Sequence, residues 1–169
     1  VPGGTDVNIG CGAIASSNSI AIGNGANSSN LSIAIGEGAN TSGTIDEVAI
    51  GHLTKADSQA STAVGYSSEA LSAGAVALGD RAVVETGNSY GVAVGSIVNI
   101  QGTDSIGIGH LTTVTSANTT VLNASGAALP GGPTNAGGFY VLPIRPGAET
   151  NQLCYNSTTG EIRYEPKSL

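Results

Sequence analysis

Eight copies of one pattern, an apolar triplet followed by glycine, constrain this chain more than any other feature. The copies occupy residues 7–10, 20–23, 33–36, 48–51, 62–65, 76–79, 92–95 and 106–109. Their glycines are separated by 13, 13, 15, 14, 14, 16 and 14 residues. A motif that recurs at a nearly constant period indicates an architecture of stacked repeats.

The repeats predict a β-solenoid whose coils each contain two short strands and two turns. The triplets are rich in β-branched residues and flanked by Ser, Asn and Gly, which favours strand over helix. A period near 14 is too short for helical repeats of about 34 residues or propeller blades of about 40–45. Coils stacked about 4.8 Å apart predict a rod of roughly 34 Å. The glycine at the end of each first strand indicates positive φ or close approach of a neighbour.

The second strand of each coil predicts one dry and one wet face. Three residues after each glycine the side chain is small or apolar, and the next side chain is mostly polar. Alternation of this kind is typical of a strand buried on one side only. The dry positions are Ala13, Ala26, Ala39, Thr54, Ser68, Ala82, Val98 and Thr112.

The first strand carries a different signal at the middle position of its triplet. The outer two positions are almost always apolar and share one face, whereas the middle position faces the other way. Because it is Ala or Gly in seven of the eight copies, with Asn8 as the exception, we expect another chain to approach closely there. The first strands would then lie inside an oligomer, around an axis, and the second strands outside. The predicted axis residues are Ala21, Ala34, Ala49, Ala63, Ala77, Ala93 and Gly107.

Composition excludes several function classes. The chain has 169 residues, a formal net charge of −7 and only 10% charged residues, which argues against a basic nucleic-acid surface. No run reaches the ~18 apolar residues of a membrane-spanning helix, so we expect no membrane insertion. Residues 87–91 spell G-x-S-x-G, but a catalytic nucleophile needs a strand–turn–helix context. We therefore expect a repeat loop there, no cofactor and no enzyme activity.

The Ile-Ala-Ile-Gly-x-Gly-Ala-Asn pattern at residues 20–27 and 33–40 resembles the head repeats of trimeric autotransporter adhesins, the YadA-like heads. The resemblance covers about residues 7–114. It implies an all-β fold, a left-handed parallel β-roll of about eight coils, assembled as a tight homotrimer. The longer intervals imply extra residues around 43–47 and 85–91 that bulge from the rod.

The C-terminal part differs from those adhesins. Residues 115–138 are polar and rich in glycine, which predicts a neck, and residues 139–169 predict a strand and a hairpin. Residues 138–164 are similar to a segment of phage and large-virus fibre proteins that precedes an endosialidase-type intramolecular chaperone. Such a domain templates trimerisation and then cuts itself off. The resemblance implies a release point close to Leu169, with Lys167 and Ser168 as its remnant; truncation by choice is equally consistent.

Together these features predict a structural segment of a trimeric viral or phage fibre at the virion surface. Three identical faces would bind a host-cell receptor, glycan or protein, through avidity. The alternative is the head of a bacterial trimeric autotransporter adhesin, at the bacterial cell surface.

Candidate contact and ligand residues lie mainly in the turns. Tyr90 and Tyr66 are proposed receptor contacts because aromatic side chains anchor interfaces, together with Asp46 and Glu47 in the first bulge. The alternative is that these side chains only cap gaps between coils. His52 and His110 occupy equivalent positions in Gly-His-Leu-Thr segments. Each could form a ring of three imidazoles in a trimer, although exposed turn histidines are the plainer interpretation.

Overall fold

The structure is a computed structural model that describes residues 5–41, 44–128, 136–142, 151–156, 158 and 162–166. Within these ranges every regular element is a β-strand. No helix that could span a membrane occurs among the described residues.

Two parallel ladders run side by side along the chain. The first ladder begins with β1 (Val7–Ile9), β3 (Ile20–Ile22), β5 (Ile33–Ile35), β7 (Val48–Ile50), β9 (Thr62–Tyr66) and β11 (Val76–Asp80). The second ladder consists of β2 (Ile14–Ser16), β4 (Asn27–Ser29), β6 (Asn40–Thr41), β8 (Lys55–Ala56), β10 (Glu69–Ala70) and β12 (Val83–Val84). The long strands β13 (Val92–Ile100) and β14 (Ile106–Val114) belong to both ladders.

Successive coils stack in register, because equivalent residues of the repeat pair with each other. Ala34 pairs with Ala49, and Gly65 pairs with Gly79. The predicted all-β fold, a parallel β-solenoid of about eight coils with a period near 14, is confirmed.

The glycines that end the first-ladder strands meet both predicted requirements. Gly51 has a φ of +131°, and a Cβ added there would overlap the carbonyl oxygen of Gly65 in the next coil. The same relation joins Gly23 to Gly36 and Gly79 to Gly95. We call this row the glycine column; it lets consecutive coils approach to strand-pairing distance while the chain turns.

The core of each coil is thin and consists of small side chains from both ladders. Ala39, Ala56 and Ala70 of the second ladder are fully buried, as are Thr54 and Ser68. The predicted dry face of the second strand is therefore confirmed except at Ala13 in the first coil, which is half-buried.

The middle residues of the triplets do not line an inter-chain axis, so that prediction is wrong. The six alanines are 0% exposed in the single chain, and Gly107 is also buried. They point into the coil, where a Cβ on Gly107 would lie 2.8 Å from Ile100 Cδ1 and 3.0 Å from Val98 Cγ1 of the second ladder. The two ladders of one chain are themselves the backbones that approach closely. The residues corrected are Ala21, Ala34, Ala49, Ala63, Ala77, Ala93 and Gly107.

The core changes toward the C-terminal coils, where glycines compensate for larger partners. Val84, Ile100 and Val114 are fully buried in the second ladder, whereas most earlier coils have Ala or Thr there. Opposite them, a Cβ on Gly91 would lie 2.8 Å from Val84 Cγ1 and 3.0 Å from Ile100 Cγ2. Volume is therefore conserved across the coil although the residues change.

This compensation predicts the behaviour of Gly107→Ala. Gly107 does not have a positive φ, so the added methyl acts only through crowding, most closely against Ile100 and then against Val98 and Val114. We expect a loss of about 1–3 kcal/mol in the free energy of unfolding, measured by urea denaturation. Ile100→Val removes the nearest methyl, and in the double variant it should recover part of the loss. Strictly additive single effects would contradict this packing relation.

The stack extends further than predicted. β15 (Thr120–Asn123), inside the expected neck, pairs with β14, and β16 (Phe139–Leu142) pairs in turn with β15. The boundary predicted at residue 114 therefore falls inside the sheet. The predicted C-terminal hairpin is present as β17 (Asn151–Tyr155) antiparallel to β18 (Ile162–Pro166). Lys167, Ser168 and Leu169, the predicted processing end, lie outside the described residues.

Candidate functional site: an apolar ribbon and two turn edges

The apolar side chains at the outer triplet positions stand on the outside of the solenoid. Since the middle residue points inward, its neighbours point outward, and they are half-buried or exposed in the single chain. We call this row the apolar ribbon. Its members, all apolar except Thr62, are Ile20, Ile22, Ile33, Ile35, Val48, Ile50, Thr62, Val64, Val76, Leu78, Val92, Val94, Ile106 and Ile108.

The ribbon is a continuous surface, because the parallel register places each member beside its counterpart in the next coil. Ile35 pairs with Ile50, and Leu78 pairs with Val94. Ile108 is 40% exposed. β15 and β16 prolong the surface, as Leu122 pairs with Val141. An apolar strip of this length is far larger than the scattered exposed residues of an ordinary soluble surface.

The assignment of the middle positions to a contact between chains implied that the apolar positions face into the coil, although a signal for the opposite orientation was present. The inward positions of the second strand are also mostly Ala, Ser and Thr. If both strands turn small residues inward, the interior is too narrow for isoleucine, so the large side chains must face out.

In each coil one turn follows the glycine of the column. We call the row formed by the first residue after each of these glycines the exit edge. It includes His52, Tyr66, Asp80, Ser96 and His110 in five successive coils. The His52 and Tyr66 rings stack with their centroids 5.2 Å apart and an interplanar angle of 17°. Tyr66 is 52% exposed, as a receptor contact requires.

Next to this stack lies an ion pair between neighbours in sequence. The Arg81 guanidinium is 3.1 Å from the Asp80 carboxylate, and Ser96 donates a hydrogen bond to the same oxygen at 3.2 Å. The hydrogen bond from Arg81 lowers the pKa of Asp80 below its ordinary value, and the same bond raises the pKa of Arg81. Both groups therefore keep their charges over a wide pH range.

His52 and His110 are equivalent in the fold but do not come together. Four coil steps of about 4.8 Å separate them along the exit edge, with Tyr66, Asp80 and Ser96 between. No group of three or more His, Cys, Asp or Glu side chains able to hold a metal occurs in the part of the chain that the structure describes. A ring of histidines from three chains stays a prediction.

The other turn precedes each first-ladder strand, and we call its residues in positive φ the entry edge. Asp46, Ala60, Gly74, Tyr90 and Asp104 follow one another there. Tyr90 is 64% exposed. Tyr66 and Tyr90 therefore lie on different edges, so the structure does not bring the two predicted receptor contacts into one patch.

Of the two acidic residues proposed in the first bulge, Asp46 is exposed but Glu47 is not. Glu47 is 0% exposed. Its Oε1 accepts a hydrogen bond from the Thr44 backbone N at 2.6 Å, and its own backbone N donates to Ser32 Oγ at 3.0 Å. Glu47 is thus a structural residue that closes the bulge, and its prediction as a receptor contact is wrong.

The second bulge is anchored by a network at its first residue. Glu85 Oε1 accepts hydrogen bonds from Asn99 Nδ2 at 2.8 Å and Gln101 Nε2 at 2.9 Å. The bond from Gln101, followed by the bond from Asn99, lowers the pKa of Glu85. The ionised form of the carboxylate therefore ties this coil to the next one.

This network predicts a pH dependence of stability. Because the folded-state pKa of Glu85 lies below its unfolded value, the stabilisation is complete above the unfolded pKa of about 4.3. It is lost as the pH falls through the lower folded pKa. Solvent screening limits the effect to about 1 kcal/mol or less. Urea denaturation between pH 3 and pH 6 should show a smaller pH slope for Glu85→Gln than for the unaltered chain; equal slopes would contradict the network.

Residues 87–91, which spell G-x-S-x-G, lie between β12 and β13. The segment after Gly91 is a strand, not the helix that a nucleophile elbow requires.

The exit edge ends after His110, where the Asn123 side chain makes the hydrogen bond that a backbone N–H makes in earlier coils. In regular coils a backbone N–H of this turn donates a hydrogen bond to a carbonyl of the preceding coil, as Ser67 N does to His52 O at 2.9 Å. The described residues that follow Asn123 do not repeat this turn, and Asn123 Nδ2 donates to His110 O instead, at 3.0 Å. The same amide donates to Ala127 O at 2.8 Å. A side chain thus caps the backbone groups that the missing turn would have satisfied.

A family model described as the YadA head domain repeat matches the chain twice, at residues 48–68 and 56–82. Residues 48–82 are therefore similar to YadA head repeats. No curated protein matches the chain. The matched segment includes β7 to β11, and the same coil continues on both sides of it. YadA head repeats imply an adhesin-like segment of a fibre that is exposed at a surface.

Proposed function

We propose that this chain is a non-catalytic segment of a trimeric surface fibre, in which three apolar ribbons pack together around a common axis. The observation that carries the proposal is the ribbon itself. One chain buries only one face of its first ladder and leaves the other apolar along the whole stack. The YadA head repeats at residues 48–82 support a trimer as the assembly that covers it.

The oligomer is the one predicted from sequence, but its contact surface is the opposite face of the strand. Isoleucine, valine and leucine bury far more apolar area than alanine, so contact through the ribbon is more favourable than contact through the alanines. The second ladder then faces outward. Its side chains there are mostly polar, for example Asn27, Lys55 and Glu69.

The proposal is tested by light scattering coupled to size-exclusion chromatography. We expect a mass three times the 16.4 kDa of one chain. A mass of one chain at micromolar concentration would contradict the trimer.

We further propose that the segment belongs to a viral or phage fibre and attaches it to a host surface. The C-terminal part supports this origin, since β17 and β18 form an antiparallel hairpin separate from the parallel sheet of the solenoid. Exposed apolar side chains accompany the change. Phe139, Tyr155 and Ile162 border a cleft of about 550 Å³, which suits a further contact between chains.

The alternative is the head of a bacterial trimeric autotransporter adhesin, favoured by the repeats at residues 48–82. The two origins differ in what the parent protein places after this segment. A self-cleaving chaperone domain supports the fibre, whereas a coiled-coil stalk leading to a membrane anchor supports the adhesin. Attachment itself is tested by binding of the labelled trimer to cells of candidate hosts, with excess unlabelled trimer as competitor.

A further inference from the structure

We infer that Tyr90 and Asp104 form a binding site for a neutral oligosaccharide on the entry edge. The Tyr90 ring would stack on one sugar ring, and the Asp104 carboxylate would accept a hydrogen bond from a sugar hydroxyl. This inference rests on the proposed attachment function and names the chemical class of its ligand.

The Tyr90 ring lies against the main chain of the preceding coil. A Cβ on Gly74 would be 2.6 Å from Tyr90 Cδ1 and 2.9 Å from Cε1, so the ring occupies the space that this glycine leaves open. Yet the side chain is 64% exposed. A ring backed by main chain and widely open to solvent is a flat apolar platform with a polar tip.

The loop before Tyr90 is held in place, so the platform is preorganised. Asn88 N donates to Ser72 Oγ at 3.0 Å, and Ser72 Oγ donates to Glu85 O at 2.8 Å. Tyr90 N itself donates to Ala73 O at 2.9 Å. Preorganisation matters for a weak site because little conformational entropy is lost on binding.

Asp104 is the counterpart of Tyr90 in the next coil, as shown by the bond from Asp104 N to Ser89 O at 3.1 Å. Its side chain is exposed. Among the described residues, no hydrogen bond or ion pair engages its carboxylate. A carboxylate accepts short, strong hydrogen bonds from hydroxyl groups.

The charge of the solenoid favours a neutral ligand. Before residue 145 the only Lys and Arg residues are Lys55 and Arg81, and each is in an ion pair, with Asp57 and Asp80. An anionic glycan would meet a carboxylate at Asp104 without an available cation.

The neighbours of Tyr90 favour a sugar over a protein partner. Protein interfaces centre on several clustered apolar anchors, whereas the adjacent entry-edge positions are Gly74, Asp104 and Asn118. A single ring flanked by polar groups fits a pyranose. Each site would be weak, and three copies in the trimer would supply avidity.

Saturation-transfer NMR tests the site, with lactose, N,N′-diacetylchitobiose and maltotriose as neutral probes and 3′-sialyllactose as the anionic probe. We expect saturation transfer to at least one neutral probe and weaker transfer to sialyllactose. Tyr90→Ala should weaken binding about tenfold or more, and Asp104→Asn severalfold. Both variants should fold, because Ala60 and Asn118 occupy equivalent positions with the same positive φ. Leu53→Ala is the matched control and should bind normally, because Leu53 lies in the other turn and is an exposed side chain that covers Gly38 as Tyr90 covers Gly74.

A second variant gives a direct signal. The chain has no tryptophan, so Tyr90→Trp places a unique fluorophore on the platform, and its emission should shift when the neutral probe is added.

Three results would overturn the site: no neutral probe binds the unaltered trimer, Tyr90→Ala binds normally, or Tyr90→Ala changes the oligomeric mass. The last would assign Tyr90 to a contact between chains. A trimer that binds no sugar overturns this inference alone, whereas a single-chain mass with Tyr90-dependent binding overturns the trimer alone.

Discussion

Gly51→Ala is expected to destabilise the solenoid by about 3–6 kcal/mol, a large share of the roughly 5–15 kcal/mol that stabilises a typical domain. Two effects add. The φ of +131° lies in a region that residues with a Cβ almost never adopt. The added methyl would also overlap the Gly65 carbonyl oxygen, and that backbone cannot move aside without breaking the pairing of β7 with β9. Thermal and urea unfolding followed by far-UV circular dichroism measure the loss.

Gly25→Ala is the matched control, because Gly25 also has positive φ but nothing lies within 4 Å of an added Cβ. Its φ of +65° is the ordinary left-handed conformation, so we expect a cost of about 1 kcal/mol. Equal destabilisation by the two variants would show that the close approach along the glycine column contributes nothing.

Leu78→Lys is expected to separate the proposed trimer into single chains. Leu78 lies in the middle of the apolar ribbon and is half-buried in one chain. In a trimer the three lysines would meet near the axis without partners, and burying an unpaired charge costs several kcal/mol for each chain. Light scattering should show the mass falling to that of one chain, and attachment to cells should weaken with the loss of avidity.

Val83→Lys, two strands away on β12, is its control. Val83 is also half-buried but lies on the outward row of the second ladder, between Glu69 and Asn99. A lysine there should leave the mass unchanged. If Leu78→Lys retains the mass of three chains, or if both variants dissociate alike, the ribbon is not the surface that joins the chains.

Local signals in the sequence predicted most of the fold. The Gly-terminated triplets fixed the strand positions, the coil length and the parallel stacking, because each of these depends on period and residue type alone. Gly51 and its counterparts were correctly predicted to need positive φ or close approach. The hairpin of β17 and β18 was also predicted, from two apolar strands around a polar loop.

The wrong predictions concern which side chains are buried and which strands pair. Glu47 looked like a surface charge, but it is buried, and the Thr44 backbone N donates to its carboxylate. Thr120–Asn123 looked like a neck, yet it pairs with β14, and the Asn123 side chain then caps the exit edge at His110 O. Such contacts join residues whose relation depends on the path of the chain in three dimensions.

The repeat by itself determined that this chain is a stack of thin β-coils whose first strands have one distinctly apolar face. Only the tertiary structure decided which way that face points. Alternation along a strand divides side chains into two sets but does not say which set is inside. That choice depends on the distance between the two ladders, and here it is so small that alanine fills the interior and isoleucine must stand outside.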